Sequence, residues 1–165
     1  MTTLHFLHPL TTLLVALVAG IVLTFAIVVM PGIRALGGRD SLRAFQAMDR
    51  IIQNNQPIFM LVWVGSALSL IATTAAGVAA LSGVDRLLIG VACLLYIGGV
   101  QVPTAMVNVP LNNQLQRVDL PSASEEEIAS LVNAFEARWV RWNTIRTVIS
   151  LAVSALLLSI LARLG

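Results

Sequence analysis

The chain has 165 residues, 58% of them hydrophobic and only 11% charged, a composition outside that of ordinary soluble domains and sufficient for a few membrane spans. All ten basic residues are Arg, which excludes a lysine nucleophile, a Schiff base or a P-loop lysine, and a net charge of +2 is too slight to point to nucleic acid. The single Cys93 rules out an intrachain disulfide or a multi-cysteine metal site and reads as a small buried hydrophobe.

No charged side chain precedes Arg34, and residues 10–30 form an uncharged run of about the 20 residues that cross a hydrocarbon core as a helix. A cleaved signal peptide wants a basic leading segment, which Met1 to Pro9 lacks, so this run is expected to remain as the first span. Met30-Pro31-Gly32 is expected to stop it, because Pro disfavours helix at the preceding residue and Gly permits a turn. Residues 40–55 then carry Leu42, Phe45, Met48 and Ile52 on one face, with Arg43, Gln46, Arg50 and Gln53 largely elsewhere. That is the pattern of an amphipathic helix lying at the membrane surface.

The second and third spans are expected at 57–81 and 87–107, joined by Ser82-Gly83-Val84-Asp85 as a tight turn. Along them Gly65, Ser69, Gly77, Gly90, Gly98 and Gly99 suit close helix packing. The stretch Asn108-Val-Pro-Leu-Asn-Asn-Gln-Leu115 then interrupts the apolar run. Amides are costly in lipid unless protein or water pairs them, and the backbone freed around Pro110 is one available partner for Asn108 and Asn112. Ser124 and Glu127 have capping-box spacing for a helix over 124–142, and Glu125 to Glu127 suit its solvated, positively polarised start. Its apolar stripe runs through Ile128, Leu131, Phe135, Trp139 and Trp142, and it is expected to continue unbroken into a fourth span at 145–162.

These elements predict an all-α integral membrane four-helix bundle, a single domain over 1–165, with amphipathic segments at one face. The loops after the first and third spans hold eight arginines, against Arg86 and Arg163 on the opposite side. By the positive-inside rule the two long loops are cytoplasmic and both termini face outward. The chain also divides into two tandem two-span halves, each a span, a Pro-containing break, an amphipathic segment and a span, with Ala44-Phe45 laid on Ala134-Phe135. In that register Asp49, Gln53 and Gln56 stand opposite Trp139, Asn143 and Arg146, both sets at i, i+4, i+7 and so on one helical face. Chance similarity between two apolar hairpins explains so few identities equally well.

Trp139, Asn143 and Arg146 offer a flat apolar surface, an amide and a permanent cation, a set suited to a planar ligand carrying a phenolate or carbonyl. Interfacial anchoring explains the same residue types, and it is the reading adopted for Arg138, Arg141 and Trp142. Arg146 lies deeper and needs a partner, which Asp49, Glu136 or the amides would supply. His5 and His8, at i, i+3, lie at the far end of the first span, and no facing spans offer histidines for a haem. No repeated His, Asp or Glu pattern suggests a metal site, and no Gly-rich loop opens a soluble nucleotide-binding unit.

Asn108-x-Pro110-x-Asn112-x-x-Leu115, followed by Trp139-x-x-x-Asn143-x-x-Arg146, resembles the anthrone-oxygenase-like family of small four-span membrane proteins, whose bacterial members form a domain of unknown function. Met30-Pro31-Gly32-Ile-Arg34 and Phe45-Gln46-x-x-Asp49 resemble its bacterial members too, and fungal members resemble the chain mainly around the first two blocks. The resemblance covers most of the chain. It implies a bacterial inner (plasma) membrane location and cofactor-free oxidation of an anthrone-like aromatic to a quinone by dioxygen. Implied with it are roles for Arg146 as oxyanion stabiliser, Asn108, Asn112 and Asn143 as orienting amides, Trp139 as a surface for the rings and Gln53 as a further contact. Asp49 is the candidate base, placed near the cluster by the repeat register. The alternative is a non-catalytic membrane protein that binds a hydrophobic small molecule or scaffolds a partner, with the same residues pairing among themselves.

Overall fold

The computed structural model describes residues 2–164, and no strand occurs among them. Four helices are long and apolar enough to cross a membrane: Thr3–Arg34, Pro57–Ala80, Gly83–Gln116 and Glu125–Arg163. Their side chains leave Phe6, Leu13, Leu61, Leu68, Leu94 and Met106 exposed, which suits lipid contact and would be untenable over such an area in water. The chain is a membrane protein.

The first long helix comprises α1 (Thr2–Thr24), a π-helical turn at Phe25–Val29 and α2 (Met30–Arg34). A separate amphipathic helix, α3 (Gly38–Gln53), precedes the second span, α4 (Pro57–Ala80). The third span runs as α5 (Gly83–Tyr96), two π-helical turns at Ile97–Gln101 and Thr104–Asn108, and α6 (Val109–Gln116); the fourth is the single 40-residue helix α7 (Glu125–Leu164). As the spacing predicts, Ser124 and Glu127 form a reciprocal capping box, each backbone N–H bonded to the other's side chain.

Pro31 and Pro110, expected to break helices, do not, and Pro103 likewise lies within a continuous helix, inside the expected third span. Pro31, Pro103 and Pro110 each lie two residues beyond the last residue of a π-helical turn. In each case the residue just before the proline donates its N–H five residues back: Met30 to Phe25, Val102 to Ile97 and Val109 to Thr104. A proline lacks an N–H and its ring presses on the carbonyl four residues earlier, so widening the preceding turn by one residue relieves the clash and lets the helix continue. The first helix therefore ends only beyond Arg34, where Gly37 takes φ +77°, and the amide stretch at 108–115 stays helical. The hairpin turn is also tighter than expected: Gly83, at φ +54°, already starts α5, leaving Leu81 and Ser82 as the link.

The apolar stripe of helix α3 is covered by protein. Its Leu42 and Phe45 are buried against Leu115 and Leu120 at the end of the third span and Ile128, Phe135 and Trp139 of α7, each contributing about 1.5–3 kcal/mol if fully removed from water. Polar side chains fasten it there. Gln46 donates to the carbonyls of Leu115 and Val118, Gln116 donates back to the Gln46 carbonyl, and Arg39 binds the carbonyls of Leu120 and Ala123 together with Glu125. These bonds satisfy the Leu115 carbonyl in the last turn of α6 and three carbonyls of the loop that follows. The amphipathic stripe thus caps one end of the spans.

Of the small residues, Gly99 and Gly77 serve close packing: a Cβ there would stand 2.5 Å from Ile149 Cδ1 and 3.0 Å from Ile89 Cδ1. Gly65 meets Leu14 at an ordinary 3.6 Å, and Gly90 and Gly98 face open space, contrary to expectation. Histidines 5 and 8 do not act together. His5 is exposed, whereas His8 lies inside α1, 1% exposed, and donates from Nε2 to the Leu157 carbonyl at 2.9 Å.

Candidate functional site

Helix α4 packs along α1, α1 along α7, and α7 along the third span. Beneath α3, where these helices spread, a cavity of about 300 Å3 opens, at the lower end of the range for ligand pockets. Its walls are largely apolar and include five aromatic side chains, Phe25, Phe45, Phe59, Trp63 and Trp139. Phe59 and Trp63 stack at 5.5 Å with an interplanar angle of 9°, and Phe45 meets Trp139 edge-on at 5.3 Å.

All seven residues singled out from the sequence, Asp49, Gln53, Asn108, Asn112, Trp139, Asn143 and Arg146, line this cavity. They arrive from three separate helices, and their hydrogen bonds divide them into two groups.

Asp49, on the buried face of α3, is held by amides alone. Its Oδ1 accepts from Asn112 Nδ2 at 2.7 Å, and its Oδ2 accepts from Gln53 Nε2 at 2.6 Å and Gln116 Nε2 at 2.9 Å. The Asn112 orientation is fixed from the other side, since its Oδ1 accepts from Trp139 Nε1 at 2.8 Å and an indole can only donate. Trp139, Asn112 and Asp49 thus form one directed chain across α7, α6 and α3. Neither Asn112 nor Asn108 caps the backbone around Pro110 as expected; Asn108 Nδ2 makes a long 3.4 Å bond to the Trp139 carbonyl, leaving Oδ1 without a partner.

Arg146 is held by a different set. Nη2 donates to Asn143 Oδ1 at 2.9 Å, Nη1 donates to Thr104 Oγ1 at 2.8 Å, and the guanidinium carbon stands 5.9 Å from the Trp139 ring centroid. The Thr104 hydroxyl spends its hydrogen on the Val100 carbonyl at 2.7 Å, so only its lone pairs face Arg146. Asn143 Nδ2 donates to the Val22 carbonyl at 2.9 Å, tying the first span to the site. Arg146 Nε has no partner. Of the three partners expected for Arg146, the amides supply one; Glu136 instead pairs with Arg34 at 2.9 Å, and Asp49 forms no ion pair. Arg138 and Arg141 are exposed, as the anchoring reading expects.

Sequence reasoning missed Thr104, Gln116 and the remaining aromatic walls. One signal was available for Thr104, which lies one turn before Asn108 in the same helix. No comparable signal marks Phe25, Phe59 or Trp63, because an aromatic in an apolar run looks alike whether it faces lipid or a cavity. Among the described residues no cluster of His, Cys, Asp or Glu could hold a metal ion.

Fold and site together define a small helical membrane protein with an aromatic cavity carrying one carboxylate and one guanidinium. The sequence model of the family described as anthrone oxygenase matches residues 45–156, well over half the chain and including all seven site residues, so the chain belongs to that family. No curated protein and no solved structure matches it.

Proposed function

We propose that the protein oxidises an anthrone-like planar aromatic to a quinone with dioxygen in this cavity. The observation that carries the reading is the pairing of an acceptor-only carboxylate with a cation in one aromatic-walled space, each held by neutral partners rather than by the other. A core assembled only for stability would bring such charges together, since a buried charge without a counter-charge costs several kcal/mol on the order of magnitude.

The chemistry follows from the ligand. Loss of a proton from the activated ring carbon leaves an anthrolate, whose negative charge spreads onto the ring oxygen. Attack of that carbon on dioxygen, with a proton returned, forms a carbon–oxygen bond and a hydroperoxide. Removal of the remaining proton from that carbon breaks the O–O bond and releases water, leaving the second carbonyl. One dioxygen is consumed and one water formed.

Asp49 is the base in this reading: its Oδ1 has a single hydrogen-bond partner and keeps acceptor capacity for the substrate proton. Arg146 stabilises the oxyanion through N–H groups that its two partners leave free. Asn112 and Asn143, with both ends of their amides engaged, position Asp49 and Arg146. Asn108, with Oδ1 unpartnered, is the amide available to the ligand, Gln53 borders the cavity beside Asp49, and Trp139 packs on the rings. The arginine distribution supports a plasma-membrane orientation with α3 and the α6–α7 loop in the cytoplasm and both termini outside.

Oxygen uptake by purified protein given a simple anthrone tests the reading, with Arg146→Ala and Asn143→Ala compared after checking that each is folded. Uptake above the spontaneous rate, lost in both variants, is expected. Binding of the anthrone without enzyme-dependent uptake would replace the oxygenase with a non-catalytic carrier of hydrophobic molecules.

A further inference from the structure

The four spans do not close into a complete ring. Three seams are continuous, α4 on α1, α1 on α7 and α7 on the third span, but α4 meets the third span chiefly through α5, the half next to their hairpin. A buried hydrogen bond ties the two helices together near mid-span: Tyr96 donates its O–H to Ser66 Oγ at 2.7 Å, because the Ser66 hydrogen is committed to the Trp63 carbonyl. Beyond it Phe59, Met60 and Trp63 on α4 and Thr104, Asn108 and Val109 on the third span line the cavity from both sides of the seam.

The seam leads to lipid. Val109 lines the cavity and is itself 42% exposed, and Val102 and Met106, on the same face of its helix, are exposed apolar residues too. Helix α3 packs on α2, α6 and α7, so it covers the end of the spans without sealing this side. The π-helical turn at Thr104–Asn108 lies along the separated stretch, with Thr104 and Asn108 in the cavity wall and Val109 at its exposed edge.

We infer that the ligand reaches the cavity sideways from the bilayer, through the opening between α4 and the second half of the third span. Its ligand is then a bilayer-dissolved planar aromatic with polar groups on its rim, rather than a water-borne compound. This rests on the reading of the cavity as a ligand site. Apolar rings would pass Met60 and Val109 without leaving an apolar environment, and their oxygens would meet Asp49 and Arg146 only inside.

Quenching of Trp139 fluorescence tests this in the full chain reconstituted into phosphatidylcholine vesicles. Cys93→Ser, Trp63→Phe and Trp142→Phe leave Trp139 as the sole tryptophan, and Val109→Cys adds one thiol at the opening. The probes are anthraquinone dissolved in the bilayer and a disulfonated anthraquinone confined to water on both sides. The bilayer-dissolved probe is expected to quench Trp139 while the thiol is free, and at least fivefold more slowly once it carries cyclohexylmaleimide. The same label on a Leu94→Cys variant, on an exposed part of α5 away from the cavity, should leave quenching unchanged. Unchanged quenching after labelling at 109, faster quenching by the sulfonated probe, or none by the bilayer-dissolved probe would each overturn sideways access. Quenching reads arrival rather than turnover, so a protein that passes this test yet consumes no oxygen would keep the lateral opening and lose the oxygenase reading.

Discussion

Asp49 and Arg146 line one cavity and are each only 4% exposed, yet they form no ion pair. Three amide N–H groups hold the carboxylate, and an asparagine and a threonine oxygen hold the guanidinium. Opposite charges in a poorly screened space attract strongly, so keeping them on separate partners preserves a field that a ligand placed there can use.

Asp49→Asn separates proton abstraction from binding. The substitution keeps the shape but removes the acceptor charge and sets an NH2 group against the amide donors. Oxygen uptake with an anthrone is expected to fall by about 100-fold or more, the scale of a general base. Anthrone affinity, followed by tryptophan quenching, should change much less. Full turnover in the folded variant would remove Asp49 from the mechanism.

Arg146→Lys retains a cation but loses the planar fork that lets Asn143 and Thr104 hold it while other N–H groups remain free. The expected loss in kcat is about 100- to 1,000-fold, as for removal of an oxyanion donor. A lysine variant turning over at the parent rate would show that charge alone suffices.

Thr104→Val is nearly isosteric and takes away the acceptor for Arg146 Nη1. Its cost in kcat is expected to be about tenfold, matching roughly 1–1.5 kcal/mol for one hydrogen bond. Thr104→Ser, which keeps the oxygen, should recover most of the rate. If serine and valine behave alike, Thr104 serves packing and not Arg146.

Gly99→Ala addresses the fold apart from the chemistry. The added methyl would meet Ile149 Cδ1 at 2.5 Å and Cγ2 at 3.0 Å, an overpacking expected to cost about 1–3 kcal/mol. Adding Ile149→Val, which removes Cδ1, should restore part of the thermal unfolding midpoint in detergent. No rescue by the second change would mean that the strain lies elsewhere.

Much of the fold was legible because it is local. The number of long apolar helices, the Ser124–Glu127 cap and the uninterrupted α7 follow from apolar runs and side-chain reach over three or four residues. The amphipathic pattern of α3 was legible too, but not its partner, because the same stripe serves a membrane surface or a protein core. Pro31, Pro103 and Pro110 show a different limit. Sequence shows that an N–H is missing, whereas packing against neighbouring helices decides whether the chain breaks there or widens by one residue.

By itself the sequence determined a membrane-spanning, all-helical chain and the small set of polar residues that such a chain could not carry without partners, because lipid leaves few ways to satisfy an amide or a charge. Gln53 for Asp49 and Asn143 for Arg146 are neighbours about one turn away in the same helix, whereas tertiary structure alone decided the partners that come from other helices. Asp49 went to Asn112, Gln53 and Gln116, Arg146 to Asn143 and Thr104, and the two were left to face one cavity. Hydrogen bonds between residues 42 to 67 positions apart depend on how the helices rotate and cross, which no periodicity within one helix records.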